Sequence, residues 1–129
     1  MVRKWGIKAD HDFLTAQAVR RNESEEILTD TICFHCQQTI EKYLKALLVW
    51  KEIDFKKTHD LVYLQTLCVP FAPALRDFNV RSLSRFGTDI RYPDDFIMPS
   101  IEETDYALGV ADQIRGLIRN QLSLIFEPS

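Results

Sequence analysis

The chain has 129 residues, 46% of them hydrophobic and 27% charged, and a formal net charge of −3. That length suits a single domain, expected here over residues 1–129, with a core that needs no staples. The negative balance excludes a protein that coats nucleic acid by bulk charge, which requires a dense surplus of Lys and Arg; a local basic patch is compatible with it.

Cys33, Cys36 and Cys68 make an odd count of cysteines, and residues 1–8 lack the apolar run of a secretory leader, so a reducing, cytoplasmic setting is expected. The longest apolar stretch, residues 46–50, is far too short to span a bilayer, and no membrane partner is expected.

Taken in chain order, the periodicity is helical throughout. A first helix is expected to start near Asp10 or Asp12, either of which can cap it, and to carry Phe13, Ala16 and Val19 toward Arg21. Asn22-Glu23-Ser24 reads as a break. The second helix, over about residues 25–51, has the clearest pattern: Ile32, Cys33, Cys36, Ile40, Tyr43, Leu44, Leu47 and Leu48 recur at steps of three and four. Glu41 and Lys45 stand four apart in the order that favours an ion pair. Thr58 is the expected cap of a third helix with Leu61, Leu64 and Leu67, which Pro70 and Pro73 end. A fourth helix is expected over residues 74–86, stopped by Gly87, and Arg91-Tyr92-Pro93-Asp94 reads as a loop. Ser100 with Glu103 forms a capping box for a last helix with Tyr106, Ala107, Val110, Ile114, Leu117 and Ile118 on one face. The architecture this predicts is all-α, an antiparallel up-and-down bundle of four or five helices.

Cys33-Phe34-His35-Cys36-Gln37-Gln38-Thr39-Ile40-Glu41-Lys42-Tyr43-Leu44, then Lys57-Thr58-His59-Asp60-Leu61, then Arg91-Tyr92-Pro93-Asp94 before a final amphipathic helix, together resemble the HEPN family in order and spacing. The resemblance implies a helical bundle that pairs as a homodimer and binds nucleotides or RNA. It further implies a toxin-like role beside a small nucleotidyltransferase partner, and for some members metal-independent ribonuclease activity. No cofactor is implied. The ribonuclease members carry an Arg followed, after four to six intervening residues, by a His. Here the histidines are His11, His35 and His59, and no His follows Arg91, so that catalytic pattern is absent.

Each candidate residue also has a plainer reading. Arg91 can grip a phosphate in bidentate fashion, Tyr92 can stack on a base, and Asp94 completes the loop; otherwise Arg91 pairs with a carboxylate and the loop is only a connection. His35, Gln38, Lys42 and Lys45 lie along one stripe of the second helix, where they offer an imidazole, an amide and two ammonium groups to a nucleotide, or else form a solvated face or a dimer contact. His59 is either an acid–base group or, more simply, a residue that fixes the start of the third helix. Cys33-x-x-Cys36 sits on the apolar face with no second pair to complete a zinc site, so it reads as core. Two functions of different class follow. The first is a nucleotide- or RNA-binding module using His35, Gln38, Lys42, Lys45, Arg91, Tyr92 and Asp94. The second is a metal-independent ribonuclease in which Arg91 works with His35 or His59. A non-catalytic structural partner of a nucleotidyltransferase is the third reading.

Overall fold

A computed structural model describes residues 1–22, 26–87 and 98–123. They form α1 (Val2–Arg21), α2 (Thr29–Trp50), α3 (Leu61–Cys68), α4 (Arg81–Ser84) and α5 (Ile101–Gln121), with 3₁₀ turns at Pro73–Asp77 and Arg85–Gly87. No strand occurs among the described residues, so the chain is the all-α bundle that its periodicity predicts. No helix among them is long and apolar enough to cross a membrane.

α2 is the axis of the bundle. Its stripe of Ile32, Cys33, Cys36, Ile40, Tyr43, Leu44, Leu47 and Leu48 is fully buried. Burying each of the larger aliphatic side chains contributes about 1.5–3 kcal/mol. α1 supplies Ala9, Phe13 and Ala16, and α5 supplies Ala107, Val110, Ala111, Ile114 and Ile118; the alanines let the helices approach closely. Trp5 of α1 lies beside Lys45 while Asp12 reaches His35, so α1 runs antiparallel to α2. Arg20 meets Asp105 and Asp10 meets Arg119, which makes α5 antiparallel to α1. The short α3 and α4 provide the return between α2 and α5.

Three local expectations are corrected. α1 begins at Val2, not at Asp10 or Asp12: Gly6 and Ala9 are buried and Trp5 packs against the core, so the core stripe extends to the first residues and holds the helix without a side-chain cap. Asp60, not Thr58, caps α3, its carboxylate accepting from the Val62 and Tyr63 amides; Thr58 Oγ1 accepts from the Asp60 amide instead. The expected helix over residues 74–86 is broken. The Gln65 amide donates to the carbonyls of Leu75 (2.6 Å) and Phe78 (2.8 Å), and Phe78 is extended, so these carbonyls serve a long-range contact rather than a continuous helix. The capping box of α5 forms as predicted, with Ser100 Oγ accepting from the Glu103 amide at 3.0 Å and the Ser100 amide donating to Glu103 Oε1 at 3.3 Å.

Candidate functional site

At 3.6 residues per turn, Gln37, Glu41, Lys45, Gln38, Lys42 and His35 fill one continuous polar arc of α2, roughly 160° wide. Most of the hydrophobic stripe occupies the rest of the circumference, while Leu48 and Phe34 fall within the span of the arc. α1 borders the arc on one side and the segment before α3 on the other, and each border carries a histidine bonded to a carboxylate.

On the α1 side, His35 Nδ1 lies 2.8 Å from Asp12 Oδ1, and Lys42 Nζ donates to Asp12 Oδ2 at 2.5 Å. The Asp12 side chain is 13% exposed and that of His35 25%. The Phe34 ring stands edge-on to the imidazole, with centroids 5.3 Å apart.

On the α3 side, His59 Nδ1 lies 2.7 Å from Glu41 Oε1, and Lys45 Nζ donates to Glu41 Oε2 at 3.1 Å. Glu41 and Lys45 are buried, with side chains 4% and 7% exposed, whereas the His59 side chain is 64% exposed. A carboxylate oxygen can only accept, so Nδ1 carries the proton toward Glu41 and Nε2 is the ring nitrogen left for solvent. Gln37 Nε2 donates to Glu41 Oε1 and to the His59 carbonyl, both at 3.2 Å. Ser84 Oγ donates to the same carbonyl at 3.3 Å and accepts from the Leu61 amide at 3.0 Å. His59 is therefore held through both its ring and its backbone. Gly87 closes the cluster from behind, because a Cβ there would come within 2.5 Å of Gln37 Nε2.

Gln38, between the two borders, donates to Gln37 Oε1 at 2.7 Å. Lys45 Nζ also lies 5.4 Å from the centre of the Trp5 ring, a cation–π contact that covers the buried ammonium.

A third polar cluster ties α1, α2 and α5 together. Asp10 accepts from Arg115 Nε (2.9 Å), Arg119 Nη1 (2.6 Å) and the Tyr43 hydroxyl. Burial raises the Tyr43 phenol well above its ordinary value, and the bond to Asp10 adds to this. With every oxygen engaged, this cluster is a clasp between helices.

Of the residues singled out from sequence, His35 and Lys42 thus meet at Asp12, Gln38 lies on the floor of the arc, and Lys45 and His59 meet at Glu41. Arg91, Tyr92 and Asp94 lie outside the described residues; Arg91 follows Gly87 by four positions in the sequence. Cys33, Cys36 and Cys68 are buried free thiols, and burial raises all three above the ordinary thiol value, Cys68 to about 12. The carboxylates were not read as site residues. Asp12 looked like a helix cap, and Glu41 looked like half of a surface pair. The available signal was the position of Glu41 beside the apolar stripe, in a helix too thoroughly buried to leave that pair in water.

A family model described as HEPN domain matches residues 2–121. No curated protein and no solved structure matches the chain. A match that runs from the first residues of α1 to the end of α5 takes in every helix that builds the arc, and on that evidence the chain belongs to the HEPN domain family.

Proposed function

We propose that this chain is a nucleotide- or RNA-binding module whose ligand lies over the polar arc of α2, against His59 and His35. Membership of the HEPN family supports the ligand class, and His59 is the observation that carries the reading. Burying an ion pair such as Glu41–Lys45 seldom stabilises a fold, because desolvation offsets the attraction. Here the buried pair, with Gln37 and Ser84, serves to hold one exposed imidazole. In this reading Lys42 and Lys45 keep the two carboxylates in place, Gln38 offers an amide, Arg91 grips a phosphate, Tyr92 stacks on a base and Asp94 offers a carboxylate to the same ligand. The module pairs as a homodimer, for which the exposed Ile7 and Leu14, one above the other on α1, offer an apolar face. It acts in the cytoplasm, alone or as the toxin-like half of a pair with a small nucleotidyltransferase.

The test is fluorescence anisotropy with labelled single-stranded RNA and with labelled nucleotides. His35→Ala combined with His59→Ala is expected to weaken binding about tenfold or more, the worth of a charge-assisted hydrogen bond. Unchanged affinity contradicts the reading.

A second reading, a metal-independent ribonuclease, is favoured by one observation: two imidazoles border the same arc. Attack of a ribose 2′-hydroxyl on the adjacent phosphate needs one group to take a proton, another to give one, and a cation for the developing charge. His59, His35 and Arg91 would fill those roles. Cleavage of a mixed RNA pool in EDTA that is lost in Arg91→Ala and in His59→Ala supports this reading, and no cleavage by folded protein leaves the binding module.

A further inference from the structure

We propose that Glu41 is a positioning residue that fixes the tautomer of His59, so that Nε2 becomes the one ring atom offered to a phosphate-bearing ligand. This rests on the ligand reading above and adds to it the atom that makes the contact and the residue that selects it.

The inference starts from what a carboxylate can and cannot do. In water the neutral imidazole of histidine prefers its proton on Nε2. A partner that only accepts, 2.7 Å from Nδ1, requires the proton on Nδ1 instead. Nε2 then presents a lone pair that accepts a hydrogen bond from a ligand hydroxyl, and in the imidazolium form Nε2–H donates to a phosphate oxygen. The carboxylate itself is out of a ligand's reach: its side chain is only 4% exposed, Oε1 accepts from His59 and Gln37, and Oε2 accepts from Lys45. Its work is confined to the imidazole.

The surroundings make the selection firm. Lys45, buried against the Trp5 ring, donates to Oε2 and so leaves Oε1 turned toward the imidazole. Gln37 bridges Glu41 and the His59 carbonyl with one nitrogen, which sets the distance between carboxylate and ring. Gly87 leaves room for that nitrogen. His35 repeats the pattern with Asp12 and Lys42, yet its ring is far less exposed and Phe34 stands against it. Of the two, His59 is the histidine that a ligand reaches first.

The experiment compares wild type with Glu41→Gln combined with Lys45→Met, which leaves no uncompensated buried charge, and with Glu41→Leu combined with Lys45→Met should the first fail to fold. A glutamine amide both donates and accepts, and leucine does neither, so in both variants the tautomer is released. Long-range proton–nitrogen NMR above the histidine titration reads the tautomer without any ligand, and anisotropy with fluorescein-labelled single-stranded RNA reads binding. The expected result is an Nδ1–H ring at His59 in wild type, a shift toward Nε2–H in the double variant, and affinity reduced about tenfold. His59→Ala added to the double variant is expected to cause little further loss, because the two changes remove one interaction. An Nε2–H ring in wild type, or a tautomer unmoved by the double variant, overturns the proposal. A released tautomer with unchanged affinity, while His59→Ala alone weakens binding, overturns it and leaves the ligand reading standing. Absence of RNA binding by wild type removes the ligand reading and this proposal with it.

Discussion

Gln37 shows how much of the site depends on a single side chain. Its amide is fully buried, bonds to Glu41, His59 and Gln38, and lies where a Cβ on Gly87 would intrude. Gly87→Ala must therefore displace a fully bonded buried group, and overpacking of that kind costs about 1–3 kcal/mol; urea unfolding is expected to show a lower midpoint with an unchanged slope. Lys45→Met alone leaves the Glu41 carboxylate buried without its ammonium, an imbalance that costs about 3–5 kcal/mol, whereas neutralising both partners recovers most of the loss. The three thiols make a separate prediction. Because burial covers them and raises their pKa, none should react quickly with Ellman's reagent in the native protein, and all three should react in denaturant. At this scale the sequence was only partly legible. His35, His59, Gln38, Lys42 and Lys45 stood out by type and spacing. Asp12 and Glu41, which hold them, did not, because the role of a carboxylate depends on which helix packs over it.

Among the elements, α2 and α5 were readable because local pattern and tertiary burial largely agree in them: each has an apolar stripe and α5 has its capping box, although Tyr106, expected on the apolar face of α5, is exposed at the edge of that stripe. Ser100→Ala is expected to lower stability by about 0.5–2 kcal/mol, measurable by thermal or urea unfolding. Glu103, the other half of the box, has a folded-state pKa lowered chiefly by the hydrogen bond from the Ser100 backbone. Its contribution is therefore complete above the ordinary carboxylate range and is lost as pH falls through the lower folded value. Glu103→Gln should remove that component and flatten stability on the acid side. α1 and the segment after α3 were misread for opposite reasons. The start of α1 carries no capping residue and is held by Trp5, Gly6 and Ala9 against α2, which no local signal announces. In residues 73–87 a helical composition is overridden by Gln65, whose amide captures two carbonyls ten and thirteen residues away.

For the molecule as a whole, the bundle sets a polar arc on the face of its central helix and closes both borders with imidazoles. Within the arc both ammonium groups, Lys42 and Lys45, are paired with carboxylates, so RNA binding there should rest on a small number of phosphate contacts. The slope of log affinity against log salt is then expected to be shallow, about −0.7 per contacted phosphate on a single strand, and a steep slope would place binding on a different, more basic surface. The proposed homodimer has its own check: if Ile7 and Leu14 form its seam, Leu14→Glu should convert the dimer to monomer in sedimentation without loss of helicity.

The measurement that bears most directly on the central claim is the NMR of the three imidazoles during titration with single-stranded RNA. His11 is exposed on the α1 face that also carries Ile7 and Leu14, where it belongs to the proposed dimer seam rather than to the arc and serves as the internal reference, while His35 and His59 border the arc. Binding over α2 predicts that the ring signals of His59, and to a smaller extent His35, move with RNA concentration while those of His11 stay fixed. Movement of His11 alone, or of none of the three while RNA binds, would contradict the account.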